Sequence, residues 1–469
     1  MSPPIDDRVN SLDKLNQLIS MPGGSTEFKN KKHRPVKSRL ARRPSGPRIG
    51  RMIRRILACL FIGGIPLLCA QPGAPAATGP PPDSWVDPDT GHRVVRLTRE
   101  PDSASLYFNQ NGYTSDGKRL VYTTPDGIFV LDLGTLQAKQ VVQGRVRLIE
   151  AGRRTPRVYY LRDRALHFTD VSTGDTGQVA ALPARGSVST INADETLAAG
   201  SFIEGDGQDY GGNRTTQTRS LDQPRNKGQM MEERFAARLP MALFTVNLVS
   251  GEIKTIHKSR DWLNHLLFSP ADPGLLMFCH EGPWHKLDRI WTIRTDGTQL
   301  KKIHTRTMAM EIFGHEFWSA DGKTIWYDLQ TPRGEDFWLA GYKVETGERT
   351  WYHLQRNEWS IHFNVTRDGT LFCGDGGDPG QVARAPDGQW IYLFRPELIP
   401  NRGIDDKGFV RPGVLRAERL VNMSKHQYRL EPNVSFSPDQ KWVVFRSNMF
   451  GRSYVFAVEV AKVTDKVTE

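Results

Sequence analysis

From Trp85 onward the chain is built of short apolar runs, rich in Val, Ile, Tyr, Phe and Trp, that alternate with small polar turns. Short β-branched and aromatic runs bounded by Asp, Asn, Gly and Ser predict β-strands. Helical periodicity is nearly absent, and only Gly228 to Leu239 reads as a short amphipathic helix. One turn recurs, of the form Ser/Thr-x-Asp-Gly: Thr114-Ser115-Asp116-Gly117, Ser319-Ala320-Asp321-Gly322 and Thr366-Arg367-Asp368-Gly369. Looser copies lie at Asn192-Ala193-Asp194-Glu195, Ser269-Pro270-Ala271-Asp272 and Ser437-Pro438-Asp439, with a degenerate one between Ala151 and Tyr160, which makes seven units. A four-stranded sheet cannot bury both faces alone, so the units are expected to stack radially as an all-β, seven-bladed β-propeller over residues 85–461. Ring closure is expected to pair His92 to Leu97 with the final strands, Lys441 to Arg446 and Tyr454 to Val460. Two stretches break the blade spacing of roughly 40–50 residues. These are 204–240 and 376–425, the second rich in Gly, Pro and Arg, and both read as insertions of the kind that often carry function.

The formal net charge of +11 over 469 residues changes meaning once it is localised. Residues 1–55 hold 14 Lys/Arg against 4 Asp/Glu, and the remaining 414 residues hold 49 against 48. The folded body is nearly neutral, so the basic balance gives no nucleic-acid partner. Met52-Ile53-Arg54-Arg55 opens an apolar stretch to Cys69 that Gly63-Gly64 and Pro66 interrupt, and Leu68-Cys69-Ala70 precedes Gln71. This predicts a signal peptide over 52–70, too short and too broken for a stable membrane span. Residues 1–51 are then a disordered or mis-extended N-terminus, 71–84 a flexible linker and 462–469 a C-terminal tail, with a periplasmic or secreted location. Two of the four cysteines fall in the signal, and Cys279 and Cys373 occupy similar strand contexts of different units. They read as two buried thiols, not a disulfide.

Candidate chemistry concentrates in Phe278-Cys279-His280-Glu281-Gly282-Pro283, Asp288-Arg289-Ile290-Trp291 and Gly314-His315-Glu316-Phe317-Trp318. A histidine near neutrality accepts a proton, and an arginine held by packing clamps a carboxylate in bidentate fashion. His265, His315 and His362 stand in the same place before the turns of successive units, and Tyr428-Arg429-Leu430-Glu431-Pro432-Asn433 stands there before the last. Innermost strands line the central channel of a propeller, so these side chains are expected to converge. A His/Glu/Asn set suits a borderline-to-hard divalent cation.

Several of these strings resemble the oligogalacturonate lyases, the seven-bladed propeller family of pectate lyases. The resemblance is carried by Cys279-His280-Glu281-Gly282-Pro283, Arg289-x-Trp291, His315-Glu316-Phe317-Trp318 and Asp87-Pro88-Asp89-Thr90-Gly91 with Arg96-Leu97-Thr98, in order from about residue 85 to 461. It implies metal-assisted β-elimination on short galacturonides or related uronide oligosaccharides, with His315 as base and Arg289 as stabiliser of the carboxylate. His362 matches a metal-ligand histidine. The family's further metal run, Gln-x-x-His-x-His, is replaced here by Tyr428, Glu431 and Asn433. The expected metal set is therefore His362, Glu431 and Asn433 with His426. The resemblance implies Mn²⁺, whereas the oxygen donors favour Ca²⁺ or Mg²⁺. His265, His280, Glu281 and Tyr428 are expected to bind substrate. The competing reading is a non-catalytic, TolB-like binding propeller of the cell envelope. A Gly-x-Ser-x-Gly nucleophile elbow is absent from the sequence, which argues against a hydrolase.

Overall fold

The structure, a computed structural model, describes residues 81–205, 227–381 and 384–462. Residues 1–51, the segment 52–70 expected to be a signal peptide, most of the expected linker and the final seven residues lie outside the described residues. Strands follow one another as antiparallel hairpins and group into seven blades around a ring. The first three blades span 104–143, 147–181 and 187–259, and the next three span 262–302, 312–354 and 363–422. The seventh is assembled from both ends of the described chain. His92–Arg96 pairs with Arg452–Lys462, which pairs with Trp442–Phe450, and Ser84–Val86 adds a fifth strand outside. This is the closure read from the sequence, and it removes the two open edges that a linear array would leave.

Seven apolar clusters hold the ring, one between each pair of neighbouring blades. The cluster around Val94, Ile391, Phe445 and Phe456 joins the sixth blade to the seventh, and that around Leu97, Leu120 and Val455 joins the seventh to the first. Both faces of each sheet are thereby buried, which explains strands that read as nearly continuous apolar runs.

The recurrent turn repeats as a hydrogen-bond unit. The hydroxyls of Thr114, Ser319 and Thr366 each donate to the aspartate two residues on (2.6 Å in all three). Each also accepts the backbone N–H five residues on, at 3.2, 2.9 and 3.1 Å. Gly117, Gly322 and Gly369 take φ of 68°, 68° and 72°, where a side chain is disfavoured.

Three features depart from the sequence reading. The helix of the 204–240 insertion spans Lys227–Ala237, but its buried residue is Arg234, whose guanidinium lies 3.8 Å over the ring of Trp262. Its most buried contact is thus a cation on an aromatic face, with Phe235 half-buried beside Gly282. The 376–425 stretch, expected to be an insertion, is largely blade. Trp390–Leu398 and Val410–Asn422 are the outer strands of the sixth blade, lengthened to 9 and 13 residues. The longer one also pairs in parallel with Arg349–Leu354, which fuses the fifth and sixth blades into one eight-stranded sheet. The inner strand of the first blade is broken between Ala104–Ser105 and the bridge at Tyr113, and residues 107–111 cross the channel instead. Asn109 Nδ2 donates to the Glu316 carbonyl (3.0 Å), and Asn364 Nδ2 donates to the Phe108 carbonyl (3.1 Å).

Phe456 is fully buried in the closing blade, whereas Phe409 is 58% exposed on the long hairpin. Phe456→Ala is expected to cost about 3–5 kcal/mol in denaturant unfolding, and Phe409→Ala less than about 0.5 kcal/mol.

Candidate functional site

The site is built on bulges in two inner strands. Strands Trp262–Phe268 and Ile312–Trp318 each lose register beside their histidine, between Asn264 and Leu267 and between Gly314 and Phe317. His265 and His315 there take φ of 46° and 47°, the left-handed region that β-carbons disfavour. Such bulges re-aim side chains near functional sites. His315 Nδ1 lies 3.3 Å from Asp328 Oδ1 on the next strand, and its ring meets His362 (centroids 4.9 Å) and Trp284 (5.1 Å) edge-on.

Arg289, 1% exposed, lies just before the strand Ile290–Arg294, which pairs with that of Glu281. Its Nη1 donates to Glu281 Oε1 at 2.6 Å, and Nη2 lies 3.7 Å from Glu316 Oε2. Its guanidinium carbon stacks 4.4 Å from the Trp284 ring. Gly314 makes this packing feasible, because a β-carbon there would come within 2.8 Å of Trp284 and 3.2 Å of Arg289 Nε. Burial opposes the guanidinium charge, but Glu281, Cys279 and Glu316 more than offset it and hold Arg289 above its ordinary range. Burial likewise pushes the Glu281 carboxyl up, yet Arg289 and the hydrogen bond from His265 bring it well below the carboxylate range. Glu281 Oε2 lies 2.9 Å from His265 Nε2, and Oε1 also accepts Trp284 Nε1–H (3.2 Å).

His362 is fully buried beneath these groups. Asp375 accepts both its backbone N–H and its Nδ1–H, each at 2.8 Å. A carboxylate only accepts, so Nδ1 carries the proton and the Nε2 lone pair faces Tyr107 Oη at 3.1 Å and Glu431 Oε2 at 3.8 Å. The contacts close on themselves: Glu281 to His265, His265 to Tyr107 (centroids 6.3 Å), Tyr107 to His362, then His315, Trp284 and Arg289. His315, His265 and Glu431 are 19%, 33% and 38% exposed, so they are the groups of this circle a solute can reach.

The structure therefore brings together His315, Arg289, His362, Glu431, His265 and Glu281. It leaves four expected residues out of the open basin. His280 faces the other side of its strand, toward Asp261 (3.5 Å) and Trp291, and burial lowers it to about 4. His426 spends both ring nitrogens on Ser447 Oγ (2.9 Å) and the Leu430 carbonyl (2.6 Å), and burial lowers it to about 4. Tyr428 is buried and donates to the Asp375 carbonyl (3.1 Å), so it supports His362 from behind. The Asn433 amide oxygen accepts from Arg446 Nη2 (2.8 Å) and is thereby taken. Asp328, Asp375, Tyr107, Trp284 and Arg446 escape the sequence reading. None sits in the repeated pre-turn position, although Asp375 in Cys373-Gly374-Asp375-Gly376 could have been flagged as a carboxylate just past a strand.

The donors that would hold a divalent cation are the Glu431 carboxylate and His362 Nε2, the latter on displacing the Tyr107 hydroxyl that lies 3.1 Å from it. An imidazole whose other nitrogen is pinned by an aspartate is a usual metal ligand, and hard cations accept few protein donors plus water. Another group, His265, Cys279 and Glu281, has donor atoms within 4.8 Å of one another. Burial pushes the Cys279 thiol well above its ordinary range, and Glu281 is committed to Arg289, so this triad is a poor cation site. Cys279 and Cys373 are indeed free, buried thiols.

The family model described as oligogalacturonate lyase matches residues 83–467. An oligogalacturonide lyase of Pectobacterium atrosepticum is 28% identical over 404 residues, covering 82% of this chain and 96% of that protein. An oligogalacturonate lyase of Dickeya dadantii is 27% identical over the same shares. Among solved structures, an oligogalacturonate lyase in complex with manganese superposes with a TM-score of 0.65 at 25% identity, covering 81% of this chain and 96% of the other. The oligogalacturonate lyase of Vibrio parahaemolyticus, at 23% identity and a TM-score of 0.63, shares the fold. With a matched region that takes in all seven blades and the whole circle of site residues, the chain belongs to the oligogalacturonate lyase family.

Proposed function

We propose that this protein is a lyase that cleaves short galacturonides or related uronide oligosaccharides by β-elimination. The observation that carries the reading is the reachable imidazole of His315, backed by Asp328 at 3.3 Å, facing His362 and Glu431 across one basin. Asp328 engages Nδ1 and leaves Nε2 as the base. It takes the C5 proton of the uronate, the C5–H electron pair becomes the C4=C5 double bond, and the C4–O pair departs with the leaving sugar, whose oxygen takes a proton from solvent. Arg289 is recessed under Trp284, so its role is electrostatic: it keeps the Glu281 carboxylate ionised and places a fixed guanidinium charge beside His315. His265, whose Nε2–H is given to Glu281, is placed to accept from a sugar hydroxyl through Nδ1. His362 and Glu431 would hold a divalent ion, Mn²⁺ by analogy with the manganese-bound relative. Such an ion, when bound, neutralises the uronate carboxylate and so raises the acidity of C5–H. Membership of the family, together with this basin, favours the lyase over a TolB-like binding propeller.

The test is the absorbance of the conjugated product from di- and trigalacturonate. His315→Ala is expected to lower kcat by about 10²–10⁴-fold with the fold retained, and Arg289→Ala to abolish product. Equal rates in His315→Ala and the parent would sink the assignment. Burial opposes protonation of His315, but Asp328 outweighs it and holds the imidazole above its ordinary value. A base must be neutral, so the acid limb of the rate profile lies above about pH 6.5, and Asp328→Asn moves that limb to lower pH.

Chelation should remove activity, with Mn²⁺ restoring it, and His362→Ala should lose Mn²⁺ binding in direct calorimetry. Retention of full activity and of Mn²⁺ binding by His362→Ala would rule this ion site out.

We further place the mature protein in the periplasm or medium, on the signal-like segment 52–70. N-terminal sequencing of the exported protein should begin just past Ala70. A start at Met1 in a cytoplasmic fraction would refute it.

A further inference from the structure

A second cavity, of about 530 Å³, adjoins the site on the side of the first two blades. Its size is within the range of about 300–1,000 Å³ typical of small-molecule sites. Tyr107 and Arg446 form the shared wall: the Tyr107 hydroxyl touches His362 Nε2, and Arg446 Nε donates to the Glu431 carbonyl at 2.7 Å. The far wall carries Arg145, Arg147 and Arg162, and Asp163 is the one carboxylate among its lining residues. None of the four arginines forms an ion pair with a described residue. Arg147 donates to Ser187 Oγ and Arg162 to the Gln143 carbonyl, both neutral acceptors. Arg145 makes no hydrogen bond among the described residues and stands exposed beside them. Unpaired guanidinium groups gathered on a concave wall are a device for carboxylates, because the fork geometry matches two oxygens at once. Elsewhere on this protein exposed arginines pair with acids, as Arg416 does with Glu397 and Arg452 with Asp102.

We propose that this arginine-lined cavity is a set of additional uronate subsites, which hold the part of the oligosaccharide that extends beyond the sugars at His315. The inference rests on the lyase reading for its substrate and adds the residues that select chain length. A polyuronate presents one carboxylate per ring, and the strand leaving His362 past Tyr107 meets Arg446 first and the guanidinium groups of the second blade after it. Arg145 and Arg162 line this cavity and are absent from the circle of groups around His315, so we assign them to sugars that a disaccharide lacks. They therefore act on longer substrates, and their contribution is electrostatic and salt-dependent.

The test compares di-, tri- and tetragalacturonate with the full-length enzyme and its Arg145→Gln, Arg162→Gln double variant. The double variant is expected to raise KM for the tetrasaccharide about tenfold or more, the effect of losing one charge-assisted contact, while the disaccharide changes less than about twofold. Arg145→Lys should keep part of the effect, and a methyl-esterified tetrasaccharide should not respond. Equal losses on di- and tetrasaccharide, or no change on either, would overturn the proposal. Calorimetric binding of tetragalacturonate to His315→Ala separates this inference from the lyase reading. If the parent enzyme gives no unsaturated product, binding that still weakens tenfold on adding the double substitution supports the subsites alone, and binding that is indifferent to it overturns them.

Discussion

A guanidinium sealed inside the protein with two carboxylates organises everything around it. Arg289 is almost wholly withdrawn from water, a position that is tolerable only because Glu281 and Glu316 answer its charge. Removing one member of such a group typically costs about 3–5 kcal/mol, since the others are left charged and dry. The pair also transmits geometry. Glu281 uses its remaining acceptor capacity to hold Trp284 and His265, Trp284 covers Arg289 and borders His315, and so one ion pair determines where the reachable histidines stand.

The wheel supplies the coincidence of parts. Three blades contribute one histidine each, and the bulges at His265 and His315 turn those side chains out of the sheet pattern and toward the axis. The first blade gives up its own regular inner strand to send Tyr107 and Phe108 across the channel, where Phe108 stacks on His362 (centroids 4.5 Å). A propeller is suited to this because its seven apolar interfaces bear the stability, which leaves the axis free for polar groups that contribute little to it.

Of the metal set expected from the sequence, only His362 and Glu431 face the basin, and the structure explains how the site remains consistent. Asn433 turns to Arg446, Tyr428 retires behind Asp375, and His426 is absorbed by the backbone. What remains is one imidazole and one carboxylate, with a guanidinium at their edge. Cationic character is thus shared between an ion position and an arginine, and the further arginines of the neighbouring cavity extend the same field. An acidic sugar chain is the substrate class for which such a division is useful.

The fold was legible in residue order alone because each blade is a local hairpin meander with its own turn chemistry, and because Val94 and Phe456 read as strand interior at opposite ends of the chain. His265, His315 and His362 could be placed for the same reason: position before a repeated turn translates into height on an inner strand. Local pattern could not say which way a side chain faces at a bulge, nor which nitrogen is already taken. His280 and Glu281 are neighbours in sequence, yet strand alternation sends one to Trp291 and the other to Arg289. Asp375, Tyr107 and Arg446 come from three different blades, and they meet His362 or its neighbours only when the ring closes. Turn period therefore settles the number of blades, and the motif resemblance the kind of chemistry, whereas long-range packing alone settles the partners, because a contact between residues 255 positions apart, as between Tyr107 and His362, leaves no trace in either neighbourhood.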